Sequence, residues 1–99
     1  MITLIYAIYD QASQSYAQPF FAQNDGVAVR IVQSAVNGPE RNNITLYPEQ
    51  FSLWRLGEYN DKTGKIIPAE NPEFLRGAHG LKKQPLTPDE VINTPEENN

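Results

Sequence analysis

The chain has 99 residues, no cysteine, one histidine and a formal net charge of −4. Missing thiols exclude a disulfide framework and a thiolate metal centre. The acidic balance excludes the broad basic footprint of a strong nonspecific DNA binder. A folded unit of about 70 residues buries only about 60% of its unfolded surface, so self-association or a partner is expected to help stabilise it. Charge is unevenly spread: residues 1–68 carry five cations against six acids, and residues 69–99 carry three against six.

Ile2 to Tyr9 alternates with period two and predicts a strand, with Ile2, Leu4, Tyr6 and Ile8 on one side. Its other row, Thr3, Ile5, Ala7 and Tyr9, is also mostly apolar, as in a central strand covered on both faces. The run is too short to span a bilayer and has no basic flank, so no membrane role is expected. Asp10-Gln-Ala-Ser13 reads as a turn, and Gln14 to Gln18 as a returning strand stopped by Pro19.

Phe20-Phe21-Ala-Gln leads into a helix capped by Asn24 or Asp25. Val27, Ala28, Ile31, Val32, Ala35 and Val36 form its apolar stripe, with Arg30, Gln33 and Asn37 opposite. Asn37-Gly38-Pro39 ends it, glycine being suited to a left-handed cap. Ile44 to Tyr47 reads as a short extended piece, and Pro48 to Phe51 as one helical turn. Ser52 to Tyr59 and Lys65 to Ile67 predict a hairpin closed by Asn60-Asp-Lys-Thr-Gly64, where glycine supplies the positive φ.

Pro68 is expected to end the last strand. Residues 1–70 then form the folded domain and residues 71–99 a flexible, proline-rich acidic tail. Within that tail, Phe74 and Leu75 are a small hydrophobic anchor. Thr87-Pro-Asp-Glu90 is a capping pattern before Val91 and Ile92, suited to a short helix formed on a partner.

No catalytic constellation is visible. His79 stands between Gly77 and Gly80 without an orienting partner, and reads as a solvated loop residue. Thr63-Gly-Lys65 lacks the upstream glycine and downstream helix of a phosphate loop. The acids show no metal-binding spacing, so no cofactor, no metal and no enzymatic activity are expected. The aromatic set stands out instead: Tyr6, Tyr9, Tyr16, Phe20, Phe21, Tyr47, Phe51, Trp54 and Tyr59. Strict alternation puts Trp54, Leu56 and Glu58 on one face, and Leu53, Arg55, Gly57 and Tyr59 on the other. Such rings serve as a platform for stacked bases, or pack a core or dimer interface.

Ile8-Tyr-Asp10, Pro19-Phe20, the Asn24-Asp25 step into Val27–Val36, and Pro48 through Ile67 occur in an order that resembles the small nonstructural protein of gokushovirus-type microviruses, phages with single-stranded DNA. The resemblance covers about residues 1–68. It implies a nonenzymatic role in the cytoplasm of the bacterial host, commonly described as DNA binding, which favours single-stranded genome synthesis and packaging. Arg30 looks like the family's basic helix position.

The expected fold is α+β: an antiparallel sheet of about four strands in the order ββαββ, with one helix on one face. One function expected of it is weak or partner-assisted binding of single-stranded DNA through Arg30, Arg55, Lys62, Lys65, Tyr59 and Trp54. The other is protein interaction. In that case the uncovered face forms a homodimer, and Phe74 and Leu75, or Val91 and Ile92, recruit a phage or host replication protein.

Overall fold

The computed structural model describes residues 1–83, arranged as an antiparallel sheet with one main helix on one face. The strands are β1 (Ile2–Asp10), β2 (Ser15–Tyr16), β3 (Phe20–Ala22), β4 (Phe51–Asn60) and β5 (Lys65–Gly77). Between β3 and β4 lie helix α1 (Asp25–Val36), a helical turn α2 (Asn43–Leu46) and a 3-10 turn at Pro48–Gln50; a second 3-10 turn follows β5 at Ala78–Leu81. The order across the sheet is β2-β1-β4-β5, and β3 pairs with β1 on the same side as β2. As its two apolar rows predict, β1 is central.

Helix α1 starts where Asn24 accepts from the Val27 amide at 2.9 Å, a cap worth about 1 kcal/mol. Its buried row is Ala28, Val32 and Val36, packed with Tyr6, Leu53, Ala22, Ala78 and Leu81 in one core. The expected stripe is therefore shifted: Ile31 and Ala35 lie on its flank and are exposed. The helix stops at Asn37, whose φ of −102° is not left-handed, and Gly38 does not take the positive φ expected of it. Instead the Asn37 side chain donates to the carbonyls of Gln33 and Leu81, both at 2.9 Å, and caps the helix by tying it to the end of the described chain.

Phe20–Ala22, read as an approach to the helix, is a strand pairing with Leu4–Tyr6. The expected return of Gln14 to Gln18 shrinks to Ser15–Tyr16. Ile44–Tyr47 is not extended; a reciprocal capping box between Asn42 and Thr45 winds Asn43–Leu46 into a helical turn. The β4–β5 hairpin turns as predicted, with Gly64 at φ 75°.

The largest correction concerns the expected tail. Pro68 does not end β5, and the chain from 71 to 83 does not leave the fold. Four residues, Ala69–Pro72, bulge out of register, after which Glu73 and Phe74 pair with Arg55 and Trp54. Ala78 and Leu81 are then buried in the core. Lys82 fixes this last piece by donating through Nζ to the carbonyls of Val36 and Thr45, at 3.1 and 3.2 Å. A cation is favoured at that end of a helix, where unpaired carbonyls concentrate negative charge.

Candidate functional site: an aromatic sheet face

A bulge in β4 decides which side chains share a face. Ile5 is opposite Gly57 and Tyr6 is opposite Arg55, so Leu56 is an extra residue in the ladder. From there the alternation is inverted. Trp54 and Tyr59, separated by strict period two, come to the same side, away from α1. Arg55, expected beside Tyr59, falls on the helix side with Leu53.

The face away from α1 carries two aromatic rows that cross the strands. In the first, Tyr16 on β2 meets Tyr9 on β1 at 4.9 Å, Tyr9 meets Trp54 on β4 at 6.4 Å, and Trp54 meets Phe74 on β5 at 5.5 Å. All three contacts are edge-to-face, the geometry that ring quadrupoles favour. The indole N–H of Trp54 donates to Ser52 Oγ at 2.8 Å, so the ring keeps its polar group satisfied while lying on the sheet. In the second row, Phe21 on β3 meets Tyr59 on β4 at 5.7 Å, beside Ile66 on β5. Ile5 and Ala7 form a buried floor between the rows.

This surface is uncovered by any helix among the described residues. Phe74 is 54% exposed, Phe21 52% and Tyr16 40%. None of the side chains that register places on it, among them Thr3, Tyr9, Ser52, Trp54, Tyr59 and Ile66, is charged. Cations stand around it: Lys62 and Lys65 are exposed at the hairpin turn beyond Tyr59, and Arg76 is exposed next to Phe74. Arg30 is exposed on α1, in the layer on the opposite side of the sheet. The structure thus brings Trp54 and Tyr59 to one face with Lys62 and Lys65 near its end, and leaves Arg30 and Arg55 elsewhere. Phe74 belongs to the aromatic row. Leu75 does not serve as an exposed anchor, because it packs against the core. Val91 and Ile92 lie outside the described residues. Tyr9, Tyr16, Phe21 and Phe74 join the surface through pairings that composition could not supply.

On the helix side, Arg55 is committed to a polar cluster. It donates to both oxygens of Asp25, at 3.2 and 3.3 Å, and to Glu73. The hydrogen bond to Glu73 raises the guanidinium pKa further above its already high value, so Arg55 stays charged. Asp25 also accepts from the Tyr6 hydroxyl at 2.6 Å, which satisfies a phenol that is wholly buried. Beside this cluster a cleft of about 330 Å³ is lined by Leu4, Gly57, Ile67, Pro68, Ala69 and the ion pair. With its arginine neutralised by two carboxylates, the cleft offers no free cation to an anionic ligand. His79 is exposed in its 3-10 turn.

Burial, reinforced by the bond to Asp25, pushes the Tyr6 phenol well above its ordinary pKa of about 10. The folded state therefore holds this proton where the unfolded chain has released it. Stability from this group is complete below about pH 10 and declines as pH rises further. A series of melting curves from pH 8 to 11 is expected to show that decline in the parent. Tyr6→Phe should lack this contribution while starting lower, since losing a hydrogen bond to a charged acceptor costs about 1.5–3 kcal/mol. Equal alkaline slopes in the two proteins would contradict the assignment.

No helix among the described residues is long and apolar enough to cross a membrane, and no group of three or more His, Cys, Asp or Glu among them is placed to hold a metal. What remains is a small α+β protein with a one-sided layer, whose distinguishing surface is aromatic and uncharged. Such proteins act by contact, through the face they leave open. The chain matches the family described as Phage ORF5 protein over residues 3–81 and belongs to that family, which makes it a phage accessory or nonstructural protein. The matched span runs past Pro68 to Leu81, the last residue of the core. No curated protein and no solved structure matches the chain.

Proposed function

We propose that this is a nonenzymatic phage protein that binds single-stranded DNA on its aromatic sheet face during viral DNA replication, in the host cytoplasm, as in gokushovirus-type microviruses. The observation that carries the reading is the row Tyr16–Tyr9–Trp54–Phe74, with adjacent rings 4.9–6.4 Å apart across four strands. Exposed sheet aromatics are a recurring device for holding unpaired bases, and stacking tolerates any base. Lys62 and Lys65 supply phosphate contacts at one end of the face, and Arg76 does so beside Phe74. Trp54 and Tyr59 remain in the proposed site, joined by Tyr9, Tyr16, Phe21 and Phe74; Arg55 and Arg30 leave it.

Few cations serve the face, so affinity is modest and falls steeply with salt. Titration with a labelled oligothymidine at about 50 mM salt is expected to show binding, with quenching of the single tryptophan as bases stack on it. Phe74→Ala, at a position 54% exposed, should leave the fold intact and remove roughly 1–3 kcal/mol of stacking, a loss of about 5- to 150-fold. Replacing Lys62 and Lys65 by glutamine should flatten the slope of log K against log salt by about 1.4, at about 0.7 per phosphate on a single strand. Titrations without salt-sensitive binding or tryptophan quenching would sink this reading.

One observation favours a second reading. The face carries no charge, and depletion of charge with enrichment in aromatic rings is the signature of a protein interface core. In this reading two copies bury their aromatic rows against each other, and the dimer serves a replication protein. A solution mass measured with and without the oligonucleotide separates the two. A dimer that ignores DNA supports self-association, whereas a monomer that binds DNA supports the first reading.

A further inference from the structure

All of the chain's cations lie within residues 1–83. Eight Lys and Arg there are balanced by eight Asp and Glu, so the described fold is neutral. The remaining sixteen residues hold four acids, Asp89, Glu90, Glu96 and Glu97, and no cation. The whole net charge of −4 is thus carried by the segment that follows Lys83.

Within the fold the cations are unequally committed. Arg55 is bound by Asp25 and Glu73, and Lys82 by two helix-end carbonyls. Lys62, Lys65 and Arg76 are exposed and make no ion pair among the described residues. These are the groups that phosphate would use, and an anionic segment of the same chain has equal claim to them. Lys83 anchors the start of that segment: its backbone N–H donates to Asn37 Oδ1 at 2.7 Å, at the end of α1. Sixteen residues extend up to about 53 Å from there. The fold measures 54 × 32 × 22 Å, so most of its surface, the reverse of the sheet included, lies within that reach. Tethering gives such a segment an effective concentration in the millimolar range, which free oligonucleotide does not reach in an ordinary titration.

We infer that the C-terminal acidic segment, residues 84–99, is an intramolecular competitor of single-stranded DNA for Lys62, Lys65 and Arg76 at the margin of the aromatic face. This rests on the DNA-binding reading above and adds its regulation. The segment leaves the rings' stacking surface unaltered and screens the phosphate contacts, so weak or short ligands are rejected. A long single strand, which offers many phosphates at once, displaces it.

The test uses the full-length chain with Asp89→Asn, Glu90→Gln, Glu96→Gln and Glu97→Gln combined, which removes the charge and keeps the length. At about 50 mM salt the variant should bind oligothymidine about tenfold more tightly than the parent, and the gap should close at about 200 mM as screening weakens both anions. Backbone amide shifts are recorded on both proteins without DNA, and Lys62, Lys65 and Arg76 should differ between them in a salt-sensitive way. Equal affinities at low salt overturn the competition. If neither protein binds DNA, the DNA reading fails by itself. The amide shifts then decide whether the segment contacts these cations: coincident spectra overturn the contact, and salt-sensitive differences sustain it.

Discussion

Gly57→Ala is expected to destabilise the protein by about 3 kcal/mol or more, near the upper end of what an overpacked site costs. A β-carbon built at Gly57 falls 2.5 Å from the Ile67 carbonyl oxygen and 2.9 Å from Pro68 Cα. Both are backbone atoms of β5, so no side-chain rotation relieves the clash. The neighbouring strand must move away, and it is held on either side by the pairs Glu58–Ile67 and Arg55–Glu73. A small domain with total stability of about 5–15 kcal/mol loses a large share of it by such a change. Chemical denaturation of parent and variant measures the loss directly. An unchanged midpoint would mean that β5 does not approach β4 as closely as described.

Leu53→Ala should be comparable, costing about 2–5 kcal/mol. Leu53 is fully buried and is among the largest such side chains, with Tyr6, Val32 and Val36. It belongs to the cluster in which α1 contributes Val32 and Val36 and the last 3-10 turn contributes Leu81. Truncation leaves a cavity among residues from three elements, each tethered by its own hydrogen bonds, so collapse into the space is limited. The two substitutions act in different places. Gly57→Ala parts two strands, while Leu53→Ala loosens the layer above them. Thermal melts should show both proteins well below the parent, and a loss under about 1 kcal/mol for Leu53→Ala would put its burial in doubt.

Much of this architecture could be read from residue order. Ile2–Tyr9, the Asn24 cap with the helix that follows, and the Asn60–Gly64 hairpin turn are local signals, each written within a few positions. The misreadings share one cause, which is that pairing across the chain overrode local chemistry. Pro68 has no donor, yet an outer strand tolerates it opposite a glycine. Phe20–Ala22 is too short to announce itself as a strand, and takes that form because β1 offers its free side. The bulge at Leu56 has no mark in the sequence. Even so, it transfers Arg55 out of the proposed binding surface and brings Tyr59 in line with Trp54.

The site was legible to the same degree. An unshielded aromatic side follows from a single covering helix, and that much the order of elements supplied. Membership in each row did not follow, because Tyr16, Phe21 and Phe74 reach it from strands whose registers depend on distant partners. Leu75 shows the reverse case: adjacent to an exposed ring, it turns inward to the core. Sequence neighbours in an irregular strand can belong to opposite sides of the protein.

The outer margin of β5 has a consequence for how copies of this protein meet. A long border strand bearing Ile66, Ile67 and Phe74 would ordinarily invite another chain to add itself sideways, and then another, into a fibre. Here Pro68 and Pro72 withhold two donors, and the excursion at Ala69–Pro72 bends the border between them. Sideways growth is interrupted, while the flat side stays available. An infected cell can accumulate such a chain to high levels with its sticky surface exposed, because contacts through that surface close on themselves in pairs and do not propagate.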